Sequence, residues 1–207
     1  LSDFKHRWIT GQDLLLGLSG IQGLLLAPGG LEGAFCEGFR PELGIESALG
    51  AGVDRLREAA CSSALGHELG LSQGGPWSRG ALFLFSHPAR GGACKRWNML
   101  LRWLIRPQDG VDLGLWRSLE PRDLVLPLDT HTARISKMIG LTRRRQPDWL
   151  MAKEITGVLT QLDPQDPTRF DFALAHLGIS GACQGRRRAK ICDDCSLQPA
   201  CSVGRVR

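Results

Sequence analysis

Apolar residues recur about every 3.6 positions along much of this chain, which is the spacing of one face of an α-helix. The pattern is clearest over 43–66, 94–105 and 149–162. No segment alternates apolar and polar residues with the period of two that a half-buried strand requires. The sequence therefore predicts an all-α fold.

Turn signals divide these helices. A break rich in Gly, Pro and Ser spans 73–80, a short apolar run follows over 81–85, and a turn over 86–92 leads into the helix at 94–105. A helix is also predicted from 130 to Gly140, where glycine favours a helix end. A last short helix is predicted over 170–179.

Charge and length limit the classes of protein to consider. The chain has 207 residues and a net charge of +5, enough for one large or two small domains and modestly favourable for a polyanionic partner. The apolar stretch at 14–26 is too short and too interrupted by polar and glycine residues to cross a bilayer, and it lacks a signal-peptide cleavage site. We therefore expect a soluble, cytoplasmic protein with no membrane partner.

Four of the seven cysteines lie close together near the C-terminus. Cys183, Cys192, Cys195 and Cys201 have the spacing C-x8-C-x2-C-x5-C. Disulfides would require an oxidising compartment, for which the chain offers no signal. Clustered thiols without an export signal favour a metal site, either structural zinc or a [4Fe–4S] cluster, and the spacing alone does not choose between them.

The segment that precedes these cysteines carries a resemblance. The sequence FDFALAHLG and the four cysteines resemble the C-terminus of endonuclease III and the adenine-mismatch glycosylases, where a helix precedes C-x6-C-x2-C-x5-C. The first gap is two residues longer here. The resemblance implies a [4Fe–4S] cluster on the four cysteines, with zinc as the alternative. It also implies DNA contacts from the basic residues of the longer loop, which are Arg186, Arg187, Arg188 and Lys190.

A second resemblance lies upstream. The segment LDTHTARI from Leu128 resembles the V-D-T-H-x-x-R-V segment of endonuclease III, which contains that family's essential aspartate. By this resemblance Asp129 is the catalytic carboxylate. Its position just before a predicted helix is also that of an N-cap, and the two roles are compatible.

A third resemblance covers the stretch GACKRWNMLL, which is similar to the start of the second helix in the hairpin of these glycosylases. It implies that Lys95 is the nucleophile of a bifunctional enzyme. The alternative is an ordinary exposed lysine. Gly91, Gly92 and Arg96 would contact DNA, because a glycine turn before a helix can offer backbone N–H groups to phosphate.

Three motifs in order, KRWNMLLRW, DGVDLGLW and PLDTHT, closely resemble the bacterial DUF2400 group. The chain is thus identified as a divergent member of the helix-hairpin-helix glycosylase superfamily. We expect two helical lobes. Residues 1–127 would form the first, with a hairpin at about 83–106 and an insert at about 107–127; residues 128–182 would form the second, and 183–201 the [4Fe–4S] loop. Asp112 in the insert is expected to serve turn geometry.

The expected function follows from the resemblance. The protein would be a base-excision DNA glycosylase that removes a damaged or mispaired base from duplex DNA, with AP-lyase activity through a Schiff base on Lys95. Burial, the helix N-terminus and Arg96 are expected to favour the neutral amine of Lys95, while Asp129 accepts its proton. We expect a monomer associated with the nucleoid. The alternative is a non-catalytic nucleic-acid-binding protein with a structural four-cysteine metal site.

Overall fold

The computed structural model describes residues 3–205 and is predominantly helical, which confirms the predicted class. The described residues form a two-stranded antiparallel hairpin and ten α-helices. In chain order these are β1 (Lys5–His6), β2 (Ile9–Thr10), α1 (Gly11–Leu26), α2 (Gly30–Cys36), α3 (Ile45–Ser62), α4 (Ala64–Glu68), α5 (Arg79–Leu84), α6 (Lys95–Ile105), α7 (Thr130–Met138), α8 (Trp149–Leu162), α9 (Asp171–Ile179) and α10 (Ala189–Cys192).

The predicted helices lie within a few residues of their expected bounds. The exception is 43–66, which forms two helices because Ser63 ends α3 and caps α4, accepting a hydrogen bond from the amide of Gly66 at 3.0 Å. A serine in extended conformation at this point stops one helix and satisfies the free amides of the next.

The chain divides into two compact units after Arg90, whereas the sequence analysis placed a boundary after residue 127. Segment 91–127 belongs to the second unit because its charged side chains pair with residues later in the chain, as described below. Helix α5 therefore closes the first unit and α6 opens the second, although the two helices are consecutive in the sequence.

The first unit is built on the packing of α1 against α3. Leu16 of α1 and Leu49, Val53 and Leu56 of α3 are buried in its core. The helices approach closely at Gly20, where a β-carbon would lie 2.8 Å from the carbonyl oxygen of Leu56. Only glycine fits at that contact without a shift of the backbone.

The second unit has its core between α7, α8 and α9. Its fully or nearly fully buried apolar residues are Leu126, Leu128, Ala133, Ile135, Met151, Ala152, Ile155, Leu159 and Leu174. Asp129 caps α7 and Asp148 caps α8 in the same way, each carboxylate accepting from the amide three residues on at 2.8 Å. Both caps satisfy amides that have no partner within their own helix.

The insert at 107–127 folds back on α6 without forming an α-helix of its own. The amide of Leu113 donates to the carbonyl of Trp103 at 2.6 Å, and the amide of Trp116 donates to that of Leu104 at 2.8 Å. The aromatic side chain of Trp116 is 7% exposed, so it joins the core. The insert is thus an ordered part of the second unit.

No single helix among residues 3–205 is long and apolar enough to span a membrane. Helices α1 and α2 pass the test of length and composition only as a pair, and they are bent by 95° at the break between them.

Candidate active site

Lys95 and Asp129 lie in direct contact, although 34 residues separate them in the sequence. The ammonium Nζ of Lys95 donates to Oδ2 of Asp129 at 3.0 Å. Lys95 is the first residue of α6, and Asp129 is the N-cap of α7, whose other oxygen, Oδ1, accepts from the amide of Thr132. Two helix N-termini therefore bring the amino group of Lys95 and the carboxylate of Asp129 together.

The pair is only partly shielded from solvent. The side chain of Lys95 is 42% exposed and that of Asp129 is 15% exposed. Burial acts to raise the pKa of Asp129, but the hydrogen bonds from the Thr132 amide and the Lys95 ammonium outweigh it, so that this pKa lies below its ordinary value. The carboxylate is therefore ionised at neutral pH and accepts a hydrogen bond from Lys95.

This arrangement differs from one part of the sequence-based expectation. Burial of Lys95 was expected to favour its neutral amine, yet the side chain is substantially exposed and has a carboxylate partner. An adjacent negative charge stabilises the ammonium. Burial therefore does not have the expected effect at Lys95 in the free protein.

A tight turn positions Lys95. Cys94, the residue before it, has a left-handed backbone with φ of 47°, and its buried thiol contacts the carbonyl of Gly92 at 3.3 Å. Asn98 is 1% exposed, and its amide Nδ2 donates to the carbonyl of Ala93 at 3.1 Å. Asn98, in the first turn of α6, therefore stabilises the turn that precedes Lys95.

The glycines predicted to contact DNA belong to the same turn. Gly91 has φ of 77°, which favours glycine, and its carbonyl accepts from the amide of Trp149 at 3.1 Å. Gly92 forms an isolated bridge with Asp148. Both glycines are exposed, as is Arg96 in the first turn of α6, so the three residues share an accessible edge beside Lys95.

A buried ionic cluster lies further along α6, and the sequence analysis missed it. Arg102 contacts Asp112 at 3.1 Å and Asp171 at 2.5 Å. Arg106 pairs with Asp166 at 2.9 Å and also with Asp112. The two arginines thus join α6 to the insert, to the segment before α9 and to the first residue of α9. A signal was available, because Arg102 stands between Leu101 and Ile105 on the apolar side of the helix.

Asp112 has a different role from the one expected. The turn chemistry at this point belongs to Asp109, whose Oδ1 accepts from the amides of Val111 and Asp112 at 3.0 and 2.9 Å. The side chain of Asp112 is fully buried and is shared between Arg102 and Arg106. It is an internal counter-ion that anchors the insert.

Asp171 is the most perturbed carboxyl in this region. Burial raises its pKa to about 6, against the opposing effect of the Arg102 guanidinium. The negative charge of Asp129 raises the pKa further, and the positive charge of Lys95 acts in the opposite direction. Asp171 is therefore electrostatically coupled to both members of the Lys95–Asp129 pair.

The four C-terminal cysteines all line one cavity of about 690 Å³. Much of the remaining wall is apolar and comes from Met138, Phe172, Leu177, Ile191, Leu197 and Val203. Within residues 3–205 no three Cys, His, Asp or Glu side chains lie close enough together to hold a single metal ion. The thiols are thus arranged around a space, without converging on one point.

Backbone amides point at two of these sulfur atoms. The amide of Arg188 donates to Sγ of Cys192 at 3.4 Å, and the amide of Gly204 donates to Sγ of Cys201 at 3.2 Å. Arg134 of α7 donates to the carbonyl of Cys183 at 2.9 Å. The cysteine loop is therefore fastened to α7, and its sulfur atoms are placed among hydrogen-bond donors.

The basic residues of this loop are exposed. Arg186, Arg187 and Arg188 lie between the first two cysteines, and Lys190 lies in α10. Arg187 is paired with Asp193 at 2.8 Å, where both side chains remain accessible. The loop presents a positively charged surface at the edge of the cysteine cavity.

Residues 1–180 match the model of a family described as a protein of unknown function, DUF2400. The chain belongs to the DUF2400 family. The matched range contains Lys95, Asp129 and the whole buried ionic cluster, and it ends before Cys183. Searches of curated proteins and of solved structures find no match to the chain.

Proposed function

We propose that this DUF2400 protein is a DNA glycosylase of base-excision repair with AP-lyase activity, related to the helix-hairpin-helix glycosylases. The observation that carries the proposal is the 3.0 Å contact between Lys95 and Asp129 at two helix N-termini. An amine nucleophile beside a carboxylate base is the arrangement that Schiff-base chemistry requires. Most lysines lie at the surface without such a partner fixed by a helix cap.

The chemistry would begin with the extrusion of one nucleotide, because its C1′ atom is inaccessible inside the stacked duplex. The Lys95 proton passes to Asp129, the free amine bonds to C1′, and the bond between the sugar and the base breaks as the base leaves with a proton. Opening of the sugar ring gives a Schiff base. Elimination then removes a proton from C2′ to a base or to solvent and breaks the C3′–O bond, so that the 3′ phosphate leaves, and water hydrolyses the Schiff base to release the Lys95 amine.

Binding of duplex DNA is supported by two exposed positive edges. One is the Gly91–Gly92 turn with Arg96, beside Lys95. The other is the cysteine loop with Arg186, Arg187, Arg188 and Lys190. Basic side chains and backbone amides contribute affinity for phosphate that depends on salt and not on sequence.

We also propose that the four cysteines hold a [4Fe–4S] cluster. The residues fit this group in two respects: all four thiols surround one largely apolar cavity, and backbone amides donate to two of the sulfur atoms, as is common at thiolate ligands of such clusters. A single zinc ion would need the four sulfur atoms to converge on one point. The bound cluster would order the basic loop and take no part in base removal.

The catalytic proposal is tested by borohydride trapping on a panel of duplexes that each contain one lesion or mismatch. Wild-type protein and the control Lys137→Ala should form a covalent complex on at least one duplex, and Lys95→Ala should form none. Asp129→Asn keeps a good helix cap and should slow trapping strongly. Binding of all duplexes without base release or trapping would contradict the proposal and favour a non-catalytic nucleic-acid-binding protein.

The cofactor proposal has its own test. Protein purified without oxygen should be brown, with a broad visible absorption band and four iron and four sulfide per chain, as expected for a [4Fe–4S] centre. Cys195→Ala should lose the band, whereas Cys36→Ala, in the first unit, should keep it. A colourless protein with one bound zinc would reject the cluster.

A further inference from the structure

Two ion pairs are formed by basic residues on the same side of α6. Lys95 and Arg102 are seven residues apart, which places them on the same side of the helix, two turns from each other. Lys95 contacts Asp129, the N-cap of α7, and Arg102 contacts Asp171, the first residue of α9. Asp129 and Asp171 are thus linked through α6, on which their basic partners lie two turns apart.

The second pair is buried and belongs to a cluster that has more carboxylates than guanidinium groups. Asp171 is 6% exposed and Arg102 is also 6% exposed. Arg102 and Arg106 together serve four carboxylates, those of Asp109, Asp112, Asp166 and Asp171. With every group ionised, this cluster is negative overall, and its charge is poorly screened because much of it is removed from water.

We propose that Asp171, held by Arg102, is a positioning residue whose negative charge tunes Asp129 as the base that takes the proton from Lys95. The inference rests on the proposed function. It adds a second carboxyl that touches neither substrate nor nucleophile and acts through Asp129.

Charge coupling between two carboxyl groups is reciprocal, so each group raises the proton affinity of the other by the same free energy. The charge of Asp129 makes Asp171 harder to ionise, so an ionised Asp171 must increase the proton affinity of Asp129 by the same free energy. Lys95 also acts on Asp171, but Asp129 has the larger effect. The net result favours movement of the proton from the Lys95 ammonium to the Asp129 carboxylate.

Other charged groups lie on the elements that pack against α9. On the packed helix α7 they are His131, Arg134 and Lys137; the 3-10 turn Pro167–Phe170 contributes Arg169, and α9 itself contributes His176. Arg169 is paired with Asp163 at 2.9 Å, Arg134 with the carbonyl of Cys183, and Lys137 with that of Arg145. His176 stacks on Phe172 with ring centroids 5.5 Å apart.

The coupling predicts a switch in the range of mild acid. The pKa of Asp171 is about 6, so its carboxylate is charged at pH 7.5 and neutral at pH 5. Asp129 should therefore be a stronger base above pH 6 than below it. A rate that falls on acidification through this range would report Asp171 and not Asp129, whose own pKa lies below its ordinary value.

The first test needs no activity. Carboxyl carbons of the aspartates are labelled with 13C, and the titration of Asp171 is followed by NMR in the wild type, Asp129→Asn and Asp193→Asn. We expect the midpoint to fall by about half a unit to one unit in Asp129→Asn, the effect of losing one unit charge at an effective dielectric between those of dry protein and water. Asp193→Asn, which removes an exposed carboxylate, should leave it unchanged. An unchanged midpoint in Asp129→Asn overturns the inference whether or not the protein is an enzyme.

The second test uses single-turnover base release on the duplex that traps best. Asp171→Asn should lower the rate at pH 7.5 by roughly three- to tenfold, as for a weakened general base, with DNA affinity unchanged, and the step near pH 6 should disappear. Asp171→Glu should restore both the rate at pH 7.5 and the step near pH 6. Circular dichroism establishes that each variant is folded. A pH profile of Asp171→Asn identical to that of the wild type would refute the role. Loss of base release by the wild type on all duplexes would instead refute the proposed function and leave the NMR result standing.

Discussion

Removal of the Asp112 carboxylate should destabilise the second unit more than removal of any exposed carboxylate. The side chain is fully buried, contacts Arg102 at 3.1 Å and also pairs with Arg106. Asp112→Ala removes one ion-pair partner from each of the two guanidinium groups. Breaking a buried ion pair from one side costs about 3–5 kcal/mol. Because Arg102 keeps Asp171 and Arg106 keeps Asp166, we expect the lower end, about 3 kcal/mol.

The loss can be measured by urea unfolding, since a non-ionic denaturant leaves charge interactions unscreened. Circular dichroism follows the helices, and tryptophan fluorescence reports both units, because Trp8 and Trp77 lie in the first and Trp116 and Trp149 are buried in the second. A loss of about 3 kcal/mol should lower the thermal midpoint by about 6–12 °C in a chain of this length. Asp112→Asn keeps the shape of the side chain but removes its charge, so its unfolding midpoint should lie between those of the wild type and Asp112→Ala.

Glu37→Ala provides the matched control. Glu37 pairs with Arg55 at 2.7 Å, but both side chains are about half exposed. An exposed ion pair contributes roughly 0–1 kcal/mol, so this variant should unfold almost as the wild type does. Equal midpoints for Glu37→Ala and Asp112→Ala would refute the reasoning that burial makes the Asp112 cluster a structural anchor.

Three further predictions concern packing, capping and pH. Gly20→Ala should lower the free energy of unfolding by about 1–3 kcal/mol because the added β-carbon meets the Leu56 carbonyl. Gly17→Ala, whose β-carbon would meet nothing within 4 Å, should raise it by about 0.5–1 kcal/mol. Urea unfolding of the two α1 variants measures both changes. Asp129→Ala should lose about 1 kcal/mol of stability that Asp129→Asn retains, because only asparagine still caps α7; equal thermal midpoints would contradict that role. Asp171 has a raised pKa in the folded state, so it contributes stability that is complete below about pH 4 and is lost as pH rises through about 6. Between about pH 4 and pH 6 the wild type should therefore lose stability relative to Asp171→Asn. A difference in urea midpoint that stays constant over this pH range would show that ionisation of Asp171 does not affect stability.

Helix positions and caps were predictable from the sequence because they depend on neighbours. The predicted helix at 149–162 has the observed bounds, and Asp129 caps α7 as its place before a helical stretch indicated. The four cysteines could be grouped because they lie within one short segment. The pairing of Lys95 with Asp129 was predicted from a resemblance and not from their spacing in the sequence. In the structure their side chains are in contact.

The ionic cluster could not be predicted in this way. Arg102 meets Asp171 across 69 residues and Arg106 meets Asp166 across 60, and no local pattern links these positions. The insert was interpreted from its Asp-Gly sequence as a turn, yet its second aspartate, Asp112, is an internal counter-ion.

The sequence by itself determined the helices, their caps and the grouping of the thiols, because each depends on residues a few positions apart. Only the tertiary structure decided which charges share a buried environment, where the unit boundary lies and how the thiols surround their cavity. These features depend on packing between distant segments, and the free energy of a charge is set by the water that such packing removes. The Arg102–Asp171 ion pair is the clearest case, since α6 and α9 must come together before these two side chains can meet.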